Sequence, residues 1–177
     1  MCFCKRFFKL TKKEEDLIMG LFSRKKIDEF VAPANGKLIH LDKVSDPVFS
    51  QKLMGDGFAV APSDSTIVAP IGGVIGTVFP TKHALMITSK HGLEIMLHLG
   101  IDTVELKGKP FEMFIKEGDT VKTGQKLATM DLEQVKAAKK DSSIMTIITN
   151  SDAVKDMGTF EEKDVLAGDQ ALDVTIN

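Results

Sequence analysis

An all-β domain, an antiparallel β-sandwich or barrel with one short helix near 132–140, is predicted by three features of the sequence. From Phe30 onward, short apolar stretches are separated by Gly, Pro, Asp and Ser at the roughly eight- to twelve-residue spacing of antiparallel strands. Gly is plentiful at 14, Tyr and Trp are absent, and Val and Ile cluster in short segments, a composition suited to strands joined by tight turns. Finally, VAPANGKLI at Val31 to Ile39 is echoed by VAPIGGVIG at Val68 to Gly76. Each has a Gly three residues after the Pro and then an apolar stretch, so one strand, turn and strand unit is expected twice.

Taken in order, EFVAP (29–33) and GKLIHL (36–41) are the first two strands, parted by the Ala-Asn turn. GFAVA (57–61) and STIVA (65–69) follow, then GVIGTVF (73–79), ALMITS (84–89) and LEIMLHL (93–99), each apolar and bounded by turn residues. EMFI (112–115), QKLATM (125–130), SIMTIIT (143–149) and ALDVTI (171–176) complete the set. The helix begins after Asp131, whose carboxylate can cap the free amides of LEQVKAAKK while Gln134 completes a capping box; Asp141 and Ser142 end it.

One domain, 27–177, is preceded by an appendage of different composition. Residues 1–26 hold eight Lys/Arg against three Asp/Glu, leaving 15 basic and 22 acidic residues for the body. A negative body argues against a nucleic-acid partner and is compatible with a basic protein partner steered in by the field. In the appendage, Leu10, Leu17, Leu21 and Phe22 could line a basic amphipathic helix lying on an anionic membrane surface. Alternatively Met19 is the true start, and the first 18 residues are an upstream extension or a disordered tail. Cys2 and Cys4 are too close in sequence to staple a fold and too few for a structural zinc site of about four ligands, so a reducing, cytoplasmic setting is expected. No apolar run approaches the roughly 20 residues of a membrane span; Ile67 to Phe79 is broken by Pro70, Gly72, Gly73 and Gly76.

Of the four histidines, His98 has the most unusual setting. It lies between Leu97 and Leu99 at the end of an apolar strand, before Gly100, where another backbone can approach closely. Such a histidine is either a hydrogen-bonded core residue or a nucleophile, one nitrogen held by backbone and the other presented outward. His40, on a strand, and His91, in the turn SKHGL, are expected to be structural or solvated.

The longer string separates the two readings of His98. Gly92, Ile95, Met96, Leu97, His98, Leu99, Gly100, Ile101, Thr103 and Val104 fill every slot of a pattern that resembles the phosphorylation-site signature of glucose-type enzyme IIA of the bacterial phosphoenolpyruvate-dependent sugar phosphotransferase system. VSDPVFSQKLMGDGFAV, VFPTKHA and DTVELKG extend the resemblance over about Phe30 to Ile176, and MGLF at Met19 is similar to that family's usual amino terminus. The resemblance implies an antiparallel β-sandwich that accepts phosphate on His98 from the carrier HPr and passes it to a cysteine of a sugar transporter's enzyme IIB domain. It further implies that His83 contacts the phosphoryl group, that Thr81 belongs to the same hydrogen-bonding set, and that Asp46 and Asp102 meet a basic patch on HPr. Phe49 and Phe79 match apolar residues ringing the site. Met96, where some relatives have Phe, and Val104 are further expected partner contacts. Permeases or metabolic enzymes could be regulatory targets of the same face. No cofactor is expected, although His83 and His98 could share a zinc ion when a partner supplies a carboxylate. Two other classes fit poorly. A lysostaphin-like zinc peptidase needs a His-x-His element beyond His98, which is missing, and a lipoyl-type carrier needs a lysine at a hairpin tip in a setting that Lys122 and Lys126 lack.

Overall fold

Residues 26–177 are described by the computed structural model, and within them the short apolar runs become strands in the expected order. These are β1 (Lys26–Val31), β2 (Gly36–His40), β3 (Asp56–Pro62), β4 (Thr66–Val68), β5 (Gly73–Val78), β6 (Ala84–Ser89), β7 (Glu94–Leu99), β8 (Phe111–Met113), β9 (Thr120–Val121), β10 (Lys126–Met130), β11 (Ile144–Ile148), β12 (Val154–Met157), β13 (Lys163–Val165) and β14 (Gln170–Ile176). The readings on the appendage, including Cys2, Cys4, the amphipathic stretch and Met19, fall outside the described residues. Two strands were not expected, β12 and β13, which are four and three residues long and too short to display an alternation; β9 is the first strand of EGDTVKTGQKLATMD, whose residues suggest a turn, strand, turn and strand.

Two short helices join them, α1 (Pro47–Ser50) and α2 (Leu132–Ala137). α1 was unexpected and is made by its ends: Asp46 caps it through Val48 N at 2.7 Å, and Pro47 supplies a preset φ at the first position. α2 starts where expected, with Asp131 Oδ1 accepting from Gln134 N at 3.0 Å. The capping box does not form, because Asp131 N already donates to Pro110 O and Gln134 Nε2 turns instead to the Asp131 carboxylate. The helix also stops at Ala137 rather than near 140, since Lys139 turns left-handed at φ 57°.

Among the described residues the strands form an eight-stranded antiparallel sheet, ordered β13-β2-β3-β11-β7-β6-β5-β9, and two three-stranded sheets, β1-β14-β12 and β4-β10-β8. The VAP echo is the seam of an internal two-fold. Val31 N donates to Pro70 O and Val68 N to Pro33 O, both at 2.8 Å, so each copy closes on the other. The pairs Ala32 N to Asp169 O with Gly168 N to Ala32 O, and Ala69 N to Gln125 O with Gly124 N to Ala69 O, repeat one arrangement in both halves. The sheet order accordingly reads the same from either end once β1–β3 are matched with β4–β6 and β11–β14 with β7–β10.

Alternation within strands sorts side chains between two cores. Ile95, Leu97 and Leu99 of β7 and Ile144 and Ile148 of β11 point into the main core with Phe30, Phe58, Leu85 and Ile87. On the opposite face Met96, Met145, Ile147 and Ala59 form a second cluster, covered by Leu41, Val44 and Phe49 from the excursion between β2 and β3. All five residues of β11 are buried because both its faces are covered.

Two histidines take structural positions. His40 stacks on Phe160 with ring centroids 4.3 Å apart. His91 Nδ1 lies 2.7 Å from Asp28 Oδ1, while Ser89 Oγ donates to Asp28 Oδ2 at 2.5 Å. Asp28 is only 2% exposed, and each of its carboxylate oxygens has one of these partners. Asp28→Ala is expected to cost about 1–3 kcal/mol by orphaning Ser89 and His91. A urea midpoint equal to wild type would show that the cluster adds nothing.

Candidate functional site

His98 of β7 pairs with Ala84 of β6 on one side and with Met145 of β11 on the other, so the end of β7 lies beside the start of β6. Leu99 N donates to His83 O at 2.7 Å, which anchors the residue just before β6 against this strand end. The ring of His83 therefore meets that of His98, with centroids 5.2 Å apart and planes at 79°. Thr81 Oγ1 lies 2.6 Å from His83 Nδ1 and holds that ring by its far edge. Phe79 sits edge-on to His83 at 5.4 Å, and Phe49 of α1 tilts against His98 at 4.9 Å.

The two nitrogens of His98 are in different environments. Nδ1 is sealed from solvent and has no hydrogen-bond partner of good geometry, although the backbone of Gly100 pulls its proton affinity upward. Burial, then the neighbouring His83, outweigh this pull and that of the Asp46 and Asp102 charges, pushing the His98 pKa down to about 4. Burial also lowers the pKa of His83. At neutral pH His98 is an uncharged imidazole with a free lone pair.

This difference has a measurable cost in acid. The unfolded imidazole titrates near 6.5 and the folded one near 4, so between these values the unfolded chain binds the extra proton. The contribution to stability is complete above pH 6.5 and is lost as the pH falls towards 4, amounting to about 3 kcal/mol. Urea unfolding of wild type and His98→Ala at pH 7.5 and 4.5 reads it directly. The variant is expected to lose less stability between the two pH values, and parallel losses would contradict the assignment.

The loop after β7 places the acidic groups. Gly100 has φ 78°, and a Cβ there would come within 2.5 Å of Thr103 Cγ2 and 2.8 Å of Asp141 O, so no other residue fits. Asp102 follows at φ 57°, and a short 3-10 turn, Thr103–Leu106, is tied back by Thr103 Oγ1 donating to Leu99 O at 2.6 Å. Lys140 Nζ lies 2.7 Å from Glu105 and 3.7 Å from Asp102. Asp46 faces the site from the other side, at the start of α1.

The structure thus brings His98, His83, Thr81, Phe49 and Phe79 into contact and sets Asp46 and Asp102 around them. Val104 is exposed on the 3-10 turn. Met96 requires a correction: it was expected to touch partners, but it is 5% exposed and packs beneath the site in the second cluster, sharing the face of His98 two residues away. Phe49, 6% exposed, is a wall of the site more than a docking surface. Sequence reasoning missed Val48, Leu53 and Met54, exposed apolar residues on the excursion that carries Phe49, and Lys140 beside Asp102. Among the described residues no three His, Cys, Asp or Glu side chains gather as a metal site, so zinc at the histidine pair would need a ligand from outside. An open cleft of about 560 Å³, lined by Ser65, Lys109, Phe111, Glu112 and Asp131, contains none of these residues. Among the described residues no helix is long and apolar enough to cross a membrane.

The family model described as phosphoenolpyruvate-dependent sugar phosphotransferase system, EIIA 1, matches residues 28–154. The chain is 46% identical over 128 residues to the PTS system glucose-specific EIICBA component of Streptococcus pneumoniae serotype 4, an alignment spanning 72% of this chain and 18% of that protein. It is 40% identical over 147 residues to the PTS system glucose-specific EIIA component of Staphylococcus epidermidis, covering 82% of this chain and 89% of the relative. Among solved structures, the glucose permease IIA from Mycoplasma capricolum matches with a TM-score of 0.78 at 40% identity, over 84% of this chain and 96% of that one.

Proposed function

The chain belongs to the EIIA 1 family of the phosphoenolpyruvate-dependent sugar phosphotransferase system, and from that premise we propose that residues 27–177 form a phosphocarrier domain that takes a phosphoryl group from HPr on His98 and gives it to a cysteine of an enzyme IIB domain in a glucose-type transporter. The observation that carries this reading is the pairing of two imidazoles 5.2 Å apart, one with a sealed nitrogen and a depressed pKa.

The chemistry follows from that pairing. With Nδ1 buried against Gly100 and holding the ring proton, Nε2 is the nucleophile. As its lone pair forms the new bond to phosphorus, the phosphorus–nitrogen bond in phospho-HPr breaks, and the proton on Nδ1 stays in place. Phosphoryl transfer of this kind needs in-line positioning and donors for the equatorial oxygens more than proton movement. A Thr81 hydroxyl donating to His83 Nδ1 leaves the His83 proton on Nε2, free to bond a phosphoryl oxygen. In the second step a cysteine thiolate attacks phosphorus and the bond to His98 breaks, returning the neutral ring. Phe49 and Phe79 restrict water around the transferring group.

Asp46, Asp102, Val104 and Phe79 would form the docking rim, where the carboxylates attract a basic surface and the apolar residues tolerate two different partners in turn. Incubation with phosphoenolpyruvate, enzyme I and HPr, followed by mapping of acid-labile phosphate, is expected to place the label on His98. A label on any other side chain overturns the reading. Regulatory binding at the same face is read by pull-down with phosphorylated and unphosphorylated chain.

A further inference from the structure

The two carboxylates whose charges reach His98, Asp46 and Asp102, stand on segments far apart in sequence, and neither makes a hydrogen bond to the ring. Their influence acts through space, so it depends on where their loops are held. One segment touches both loops. The strap from Lys140 to Ser143, between α2 and β11, accepts Ile101 N at Asp141 O (2.8 Å) and Gly100 N at Ser143 O (3.0 Å), which seats the Asp102 loop. From the same residue, the Asp141 side chain reaches the other loop: Ser45 Oγ, next to Asp46, donates to Asp141 Oδ2 at 3.2 Å. The remaining carboxylate oxygen, Oδ1, accepts Ser143 N at 2.7 Å and so fixes the strap's own turn.

Each loop is otherwise preset. The Asp46 side chain is committed to capping α1, so that carboxylate moves with Ser45 and the helix start. Asp102 has its direction set by a left-handed backbone, and Lys140 grips Glu105 on the same turn. Both loops also pack into the second apolar cluster, Val44 and Phe49 from one and Ile101 from the other, and Asp141 adds hydrogen bonds to each of them.

We propose that Asp141 is a positioning residue that holds the Asp46 and Asp102 loops at the separation a basic partner requires. The inference rests on the carrier reading above. Asp141 does not touch the reacting atoms, so its loss acts on docking and leaves the transfer step in place.

The test is the rate of phosphorylation of the full chain by phospho-HPr, with KM and kcat resolved. Asp141→Ala is expected to raise KM for phospho-HPr about fivefold with kcat within about twofold of wild type, because misplaced docking charges weaken encounter and not chemistry. Asp141→Asn keeps both ties, its amide oxygen accepting Ser143 N and its amide nitrogen donating to the Ser45 hydroxyl, and is expected to restore the wild-type KM. Ser45→Ala, at an exposed position, is expected to raise KM by itself and to add nothing to Asp141→Ala. Wild-type KM in Asp141→Ala, a fall in kcat in its place, or an Asn variant as impaired as the Ala variant each overturn the inference; the last outcome would make Asp141 a docking charge. A wild-type chain that takes no phosphate overturns the carrier reading and this inference with it.

Discussion

His98→Ala is expected to abolish acceptance of phosphate from phospho-HPr, lowering the rate at least about 10⁴-fold. The size of the effect follows from the absence of a substitute at the site. His83 is 5.2 Å away, but its Nδ1 is engaged by Thr81 and its ring stands nearly at a right angle to that of His98; in the proposed carrier reading it contacts the phosphoryl group and is not the nucleophile. The alanine variant also leaves a space beside Phe49, and a folded chain must be demonstrated by its urea transition. His98→Gln fills more of that space, still lacks a nucleophilic nitrogen and is expected to be equally inert. Acid-labile phosphate retained by either folded variant would remove His98 from the mechanism.

His83→Gln is expected to separate the two halves of the reaction, leaving acceptance within about tenfold of wild type and slowing donation to enzyme IIB by about 10²–10³. In acceptance the nucleophile is a neutral imidazole, and an amide N–H can supply the hydrogen bond that orients the phosphoryl oxygens. In donation the nucleophile is a thiolate, so more negative charge gathers on the transferring group. A neighbouring imidazole can answer by taking a proton, which glutamine cannot do. Burial lowers the pKa of His83, so the free ring favours its neutral form, and a phosphoryl dianion beside it would favour the charged one. Single-turnover transfer from the phosphorylated variant to enzyme IIB measures the second step alone, and a wild-type rate there would show that His83 serves no more than packing.

Individual residues show how far sequence reading reaches. The strand GLEIMLHL was legible because its apolar run and bounding Gly residues are local, and the long string around His98 singled that ring out from four candidates. The two missed strands carry no such signal: β12 and β13 are set by pairing with β14 and β2, not by their own residues. The capping box failed for a related reason, as Asp131 N found Pro110 O, a partner that no local pattern announces. Met96 was expected to touch partners because of the resemblance, in which some relatives have Phe at its position. It is buried because the 41–55 excursion folds over that face, which alternation alone does not reveal.

Two-residue alternation, turn residues and one uninterrupted motif were enough to predict an antiparallel β domain and to single out His98 as the residue on which the carrier reading rests, because these signals lie within a few neighbouring residues. Tertiary structure alone decided which nitrogen of that ring is sealed, that His83 and Phe49 flank it, and that Asp141 bonds Ser45 across 96 residues of chain. Those contacts arise from strand pairing and loop closure between distant segments, and the energies that select them belong to the packed whole rather than to any stretch of sequence.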